Sequence, residues 1–137
     1  MIQDAKLVFS DAQSVINSIA TLASTNVVNW GKANPNAGYG HPLWLTVTVA
    51  TSLSGLTSAA TFQVKAQHAS DGSTWVTLLM TSAWPVDGTG AIAAGTQFIN
   101  HPIPGVLTQY MRLVYICAGA SILSGTIDGY LHLGGMP

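Results

Sequence analysis

The stretch Leu43-Trp44-Leu45-Thr46-Val47-Thr48-Val49 decides the fold class. Leu43, Leu45, Val47 and Val49 alternate with Trp44, Thr46 and Thr48. A β-strand turns successive side chains to opposite faces, so this order gives one wholly apolar face and one mixed face. Leucine, valine, threonine and tryptophan suit a pleated, half-buried surface, and the segment is predicted to be a strand with one side in the core.

Working outward, the same two-residue period returns three times. Phe62, Val64, Ala66 and His68 alternate with Thr61, Gln63, Lys65 and Gln67; Asp71-Gly72 supplies a turn, and residues 75–80 return as the second arm of a hairpin. Met111, Leu113, Tyr115 and Cys117 alternate with Tyr110, Arg112, Val114 and Ile116. Ile127, Gly129, Leu131 and Leu133 oppose Thr126, Asp128, Tyr130 and His132. Shorter strand candidates lie at 6–9, 25–30 and 96–100. The expected architecture is all-β: a jelly-roll-like two-sheet sandwich of about eight antiparallel strands. It forms one domain over residues 1–137, with 1–17 as an N-terminal extension on a body of 18–137. Only the segment after Ser10 hints at helix. Ser10 and Gln13 have capping-box spacing, and Ala12, Val15, Ile16 and Ile19 recur at helical intervals. Three of those four are β-branched, which limits the expectation to about one turn.

Charge is scarce. Four Lys and Arg and five Asp are spread over 137 residues, and Glu is absent. An ordinary domain carries roughly a quarter charged residues. At about 6,800 Å² of folded surface, each charge here serves roughly 750 Å². Such a surface is hydroxyl-rich and near neutral, and it tolerates close packing against neighbours. The net charge of −1 and the lack of a basic run argue against nucleic acid as a partner. No stretch of about 18 apolar residues occurs, and Met1-Ile2-Gln3-Asp4 does not open a secretion signal, so no membrane partner is expected. The single cysteine, Cys117, suits synthesis in a reducing cytoplasm.

Residues 31–42 and 82–95 read as long connections, carrying Tyr39 and Trp84. Long loops in a compact domain are often functional, and Tyr and Trp are favoured binding anchors. Each ring could equally cap its own core.

Signals for chemistry are weak. His41, His68, His101 and His132 lie roughly thirty residues apart without metal-ligand spacing. His68 shares a face with Phe62 and Val64, the setting of a satisfied, partly buried histidine. Asp128, Tyr130 and His132 share a strand face, but about 13 Å separates the first from the last, and a polar strip facing solvent or a partner explains them more simply. Gly88-Thr89-Gly90-Ala91-Ile92-Ala93 puts Ala93 where a dinucleotide fingerprint needs glycine. Neither a G-x-S-x-G elbow nor a GK[ST] sequence occurs. Cys117 falls on an apolar strand face, as an inert thiol would. The expectation is a protein with no cofactor, no metal and no catalytic activity.

Several stretches carry a resemblance. Met1-Ile2-Gln3-Asp4 leads into Leu7-Val8-Phe9-Ser10-Asp11-Ala12-Gln13; Ser24-Thr25-Asn26-Val27-Val28 is followed by Gly31; Pro42-Leu43-Trp44-Leu45 opens a strand; Tyr110-Met111-Arg112-Leu113 precedes Tyr115, and Gly125 opens the last strand. Together they cover most of the chain and resemble the small capsid cement (decoration) proteins of short-tailed bacteriophages of the Bordetella-phage type. The loop at 82–95 and the tail Gly134-Gly135-Met136-Pro137 depart from that pattern. The resemblance implies a jelly roll on the outer surface of a virion with an HK97-type shell. Its partners would be the major capsid protein and further copies of itself, as a dimer or trimer. Candidate partner contacts are Leu7, Phe9, Tyr39, Trp84 and the only arginine, Arg112. Residues 1–11 could add a strand to a neighbour through Leu7 and Phe9, or residues 6–9 could form the first strand of their own sheet. The competing functions are a sugar-binding jelly roll using Tyr39, Trp44, Trp75 and Trp84, and a phage tail or baseplate component.

Overall fold

The computed structural model describes residues 7–15, 21–31, 43–55, 59–86, 91–103 and 108–133. These form ten strands: β1 (Val8–Ser14), β2 (Thr21–Ala23), β3 (Val28–Asn29), β4 (Leu43–Gly55), β5 (Thr61–Ala69), β6 (Val76–Met80), β7 (Trp84–Pro85), β8 (Gln97–Pro102), β9 (Tyr110–Ala118) and β10 (Ile122–Leu133). One sheet has the order β1-β10-β4-β8. The other has the order β2-β9-β5-β6, with β3 also on β9 and β7 also on β5. Every pairing is antiparallel.

The pairings nest. β1 pairs with β10, β2 and β3 with β9, β4 with β8, and β5 with β6 and β7. A single long ribbon folded over on itself gives this order, with β2/β3 and β6/β7 each filling one of eight strand positions. That is the jelly roll expected from the alternating sequence.

The alternation sends its apolar members between the sheets. Leu45, Val47 and Val49 of β4 meet Phe62, Val64 and Ala66 of β5 and Met111, Leu113, Tyr115 and Cys117 of β9 in one core, all buried. Aromatic rings organise its centre. Phe62 lies 5.1 Å from Phe98 and 6.0 Å from Tyr115, centroid to centroid, with the Tyr115 ring nearly parallel to it. Tyr115 reaches across the core because β10 carries Gly129 below it. A β-carbon there would come within 2.5 Å of Leu113 Cδ1 and 3.3 Å of the Tyr115 hydroxyl. The phenol meets the buried hydroxyl of Ser10 on the opposite sheet at 2.7 Å.

The segment after Ser10 is strand up to Ser14, not the expected turn of helix; residues 16–20 lie outside the described residues. The Ser10–Gln13 spacing is used differently: Ser10 Oγ donates to Gln13 Oε1 at 2.6 Å across a bulge. Ala12, at φ 48°, occupies the left-handed region there. Its amide donates to Asp128 Oδ1 at 2.6 Å. A neighbouring carboxylate and the pull of β10 outweigh a weak helical pattern. β1 therefore belongs to its own sheet, with Val8 opposite Tyr130 and Ser14 opposite Thr126. Residues 1–6 lie outside the described residues. Within the connection at 82–95, Trp84 and Pro85 pair with Phe62 and Thr61, and Ile92 bridges Leu53, so its described parts are strand and bridge rather than plain loop.

The β5–β6 hairpin turns as its sequence directs. Asp71 Oδ1 accepts the amides of Ser73 at 2.9 Å and Thr74 at 2.8 Å, while Gly72 takes φ +74°. Those amides hold the Asp71 carboxyl down at about 2. Its contribution to the turn is complete above the ordinary carboxylate range near pH 4 and is lost as pH falls through about 2. An NMR pH titration of Asp71 is expected to give a midpoint near 2, whereas a midpoint near 4 would mean that the turn does not hold the carboxylate. Phe9→Ala is expected to lower stability by about 3–5 kcal/mol in chemical denaturation, the cost of removing a fully buried aromatic ring.

Candidate functional site

The outer face of the β2-β9-β5-β6 sheet concentrates the features suited to binding. Met111, Leu113 and Tyr115 point inward, which turns Arg112 outward. The register sets Gln67 of β5 directly opposite Arg112 of β9. Arg112 Nε donates to Gln67 Oε1 at 3.1 Å, and the guanidinium carbon lies 4.2 Å from the centre of the Trp75 ring. A cation over an indole face is attracted by the ring quadrupole. Partial burial lowers the Arg112 pKa from its usual value. Lys65 shares this face, opposite Val114. Exposed Val76 and Met80 begin and end β6.

The two sides of the sandwich differ. Beside β1 the sheets are stitched together. Asn26 donates its amide to Phe9 O at 2.9 Å and its side chain to Val8 O at 3.1 Å. Gln13 donates to Ala23 O at 2.9 Å and accepts from the Thr25 amide at 2.8 Å. On the other side, β8 and the β6–β7 segment border an open cleft of about 390 Å³, lined by Leu79, Met80, Trp84, Phe98, Asn100 and His101. Trp84 stands edge-on to Phe98, with centroids 5.1 Å apart.

The structure disperses the expected contact residues. Arg112 lies on the outer sheet face and Trp84 in the cleft, where it packs partly against the core. Leu7 is half-buried against the core beside β1. Phe9 is fully buried in the folded domain, so its expected role in contacting a partner is corrected: its side of β1 faces the other sheet. Tyr39 lies outside the described residues. Gln67 and Trp75 become companions of Arg112 only in the fold: the β5–β9 register sets Gln67 opposite it, and the β5–β6 hairpin returns Trp75 beside it. The outward position of Gln67 beside Lys65 was legible, but its burial was not.

The polar strip on β10 also differs from expectation. Asp128 is tied to the Ala12 amide, and His132 is buried with its Nε2 2.6 Å from Thr46 Oγ1. Both groups join strands, Asp128 from a half-exposed position and His132 from a buried one, so the strip departs from the expected outward face at His132. His68 bonds Thr108 through Nδ1, and His101 Nδ1 lies 2.6 Å from Pro102 O. His41 lies outside the described residues. Among the described residues no three His, Cys, Asp or Glu side chains converge on a metal-sized site. Nor is any helix among them long and apolar enough to cross a membrane. Of the tryptophans that could stack on a sugar, Trp75 carries Arg112 over its ring and Trp84 packs at a right angle to Phe98.

Fold and topology together define a small jelly-roll domain. The chain belongs to the Bbp16 family, a protein family of the Bordetella-phage type, whose model matches residues 9–131. No curated protein matches the chain.

Cys117 is buried, with Sγ 3.9 Å from Val15 O, and burial pushes its thiol up to about 11. A buried neutral thiol is a poor nucleophile. Native protein at mildly alkaline pH is expected to leave a disulfide reagent unconsumed, with one equivalent reacting on unfolding. Fast reaction of the native protein would contradict this burial.

Proposed function

We propose that this domain is a capsid cement (decoration) protein, which binds the outside of a tailed-phage shell and strengthens contacts between major capsid subunits. The observation that carries this reading is the family match over residues 9–131. The physical character of the surface supports it. A near-neutral exterior packs against neighbours with little charge to desolvate. Val27, Val76, Met80 and Leu123 remain 47–59 % exposed, the largest such apolar groups among the described residues. Covering one of these on docking contributes roughly 1 kcal/mol, about half the value for complete burial. One such contact is weak, but repeated over oligomeric copies on a lattice the contacts reinforce one another through effective concentration. The reading includes association with further copies, as a dimer or trimer, and involves no cofactor, nucleic acid, membrane or catalytic step.

A tail or baseplate role is the competing structural reading, and the same experiment separates the two. Purified protein is mixed with mature shells, and separately with isolated tails, and then sedimented. The expected result is saturable pelleting with shells, and shells that withstand higher temperature or chaotrope when decorated. Pelleting with tails alone, or with neither, would contradict the proposal.

A further inference from the structure

We infer that Arg112, Trp75 and Gln67 form a pre-oriented receptor for one carboxylate side chain of a shell subunit, on the outer face of the β2-β9-β5-β6 sheet. The inference rests on the cement reading and gives that contact its chemistry. Three observations carry it: how the arginine is held, how it is left uncompensated, and where the chain's other charges lie.

The guanidinium is fixed before any partner arrives. Its Nε is engaged by Gln67 Oε1 at 3.1 Å, and its central carbon sits over the Trp75 ring, 4.2 Å from the centroid. Gln67 is itself buried, at 9 % exposure, so the anchor is rigid. With Nε occupied, the two terminal nitrogens remain as a fork, the geometry that receives the two oxygens of a carboxylate. A flexible arginine would lose rotamer entropy on docking, and one already held loses little.

Among the described residues the charge is also uncompensated: no carboxylate pairs with Arg112, and burial pulls its pKa down with no anion acting against it. Arg112 is half-buried rather than enclosed, so its fork stays open to an anion of a partner. Asp71, in the turn of the neighbouring hairpin, is committed to the amides of Ser73 and Thr74. Asp11 and Asp128 belong to β1 and β10 of the opposite sheet. Lys65 and Arg112, the described cations, share this one outer face. The complementary surface is therefore acidic. Two cations on a chain of net charge −1 are too few to hold a nucleic-acid backbone, so a protein carboxylate is the fitting anion.

The test is a titration of full-length protein onto purified shells, reading the half-saturating concentration, with thermal melting and solution size measured on each free variant. Arg112→Ala removes the fork, and it is expected to raise the half-saturating concentration about tenfold or more, the scale of one lost charge-assisted pair at a desolvated contact. Arg112→Lys is expected to recover only part of the loss, because a point charge replaces the fork. Gln67→Glu sets an internal carboxylate beside Arg112. It is expected to weaken shell binding by a similar factor while the domain melts no lower than the unaltered protein. Unaltered protein that binds shells while Arg112→Ala and Gln67→Glu bind equally well would overturn the inference and leave the cement reading standing. A loss in Arg112→Ala that tracks a changed size of the free protein would assign the carboxylate to a second copy and overturn it as well. Shells that bind none of the proteins, the unaltered one included, would contradict the cement reading itself.

Discussion

The contact on which the rest of the structure depends is the buried hydrogen bond between Tyr115 and Ser10, 2.7 Å long and spanning the two sheets. Ser10 Oγ donates to Gln13 Oε1, so the phenol must donate to Ser10. That direction fits a phenol whose ionisation burial opposes. Gly129 leaves room beside the pair, where a β-carbon would press on Leu113 at 2.5 Å and on the Tyr115 hydroxyl at 3.3 Å. Through Gln13 the network continues to the Thr25 amide and the Ala23 carbonyl, and so binds β1 to the turn beyond β2. One polar chain thus closes one side of an otherwise apolar sandwich.

Closing that side fixes what the other side and the outer faces can do. With β1 covered by residues 23–26, the cleft between β8 and the β6–β7 segment is the open flank seen among the described residues. Pro102 at the end of β8 lacks an amide donor, which limits further strand pairing there. The outer face of the β9–β5 pair is left carrying Arg112 and Lys65, with exposed Met80 of β6 opposite Lys65. A domain built this way meets its surroundings through its exterior, the arrangement a structural phage protein requires.

Most of the fold was legible from the alternation in β4, β5, β9 and β10, because a two-residue period survives wherever one face is buried and the other is not. The β5–β6 hairpin was legible from Asp71-Gly72 for a local reason: its bonds span only three residues. What escaped reading depended on contacts distant in sequence. The bulge at Ala12 is held by Asp128, 116 residues away, so a short pattern mimicking a helical cap gave no warning. His132 and Thr46, both polar and both on outward positions, bury each other across β10 and β4. The Arg112 site followed the same rule. The arginine stood out by being unique, whereas Gln67 and Trp75 join it only through register. Phe9 shows the converse, since an apolar residue near the chain start resembles an arm until its strand is placed in the sheet.

The scarcity of charge now has a physical place in the account. Neutral hydroxyl and apolar groups lose less solvation on contact with a neighbour than ions do, and under the proposed cement role a surface repeated over a lattice gains from that at every copy. The central claim is tested most directly by cryo-electron microscopy of the parent particle at side-chain resolution. A cement role requires jelly-roll density on the outside of the shell, seated on major capsid subunits. A clean outer shell, with this chain found only in the tail or absent from the particle, would contradict it.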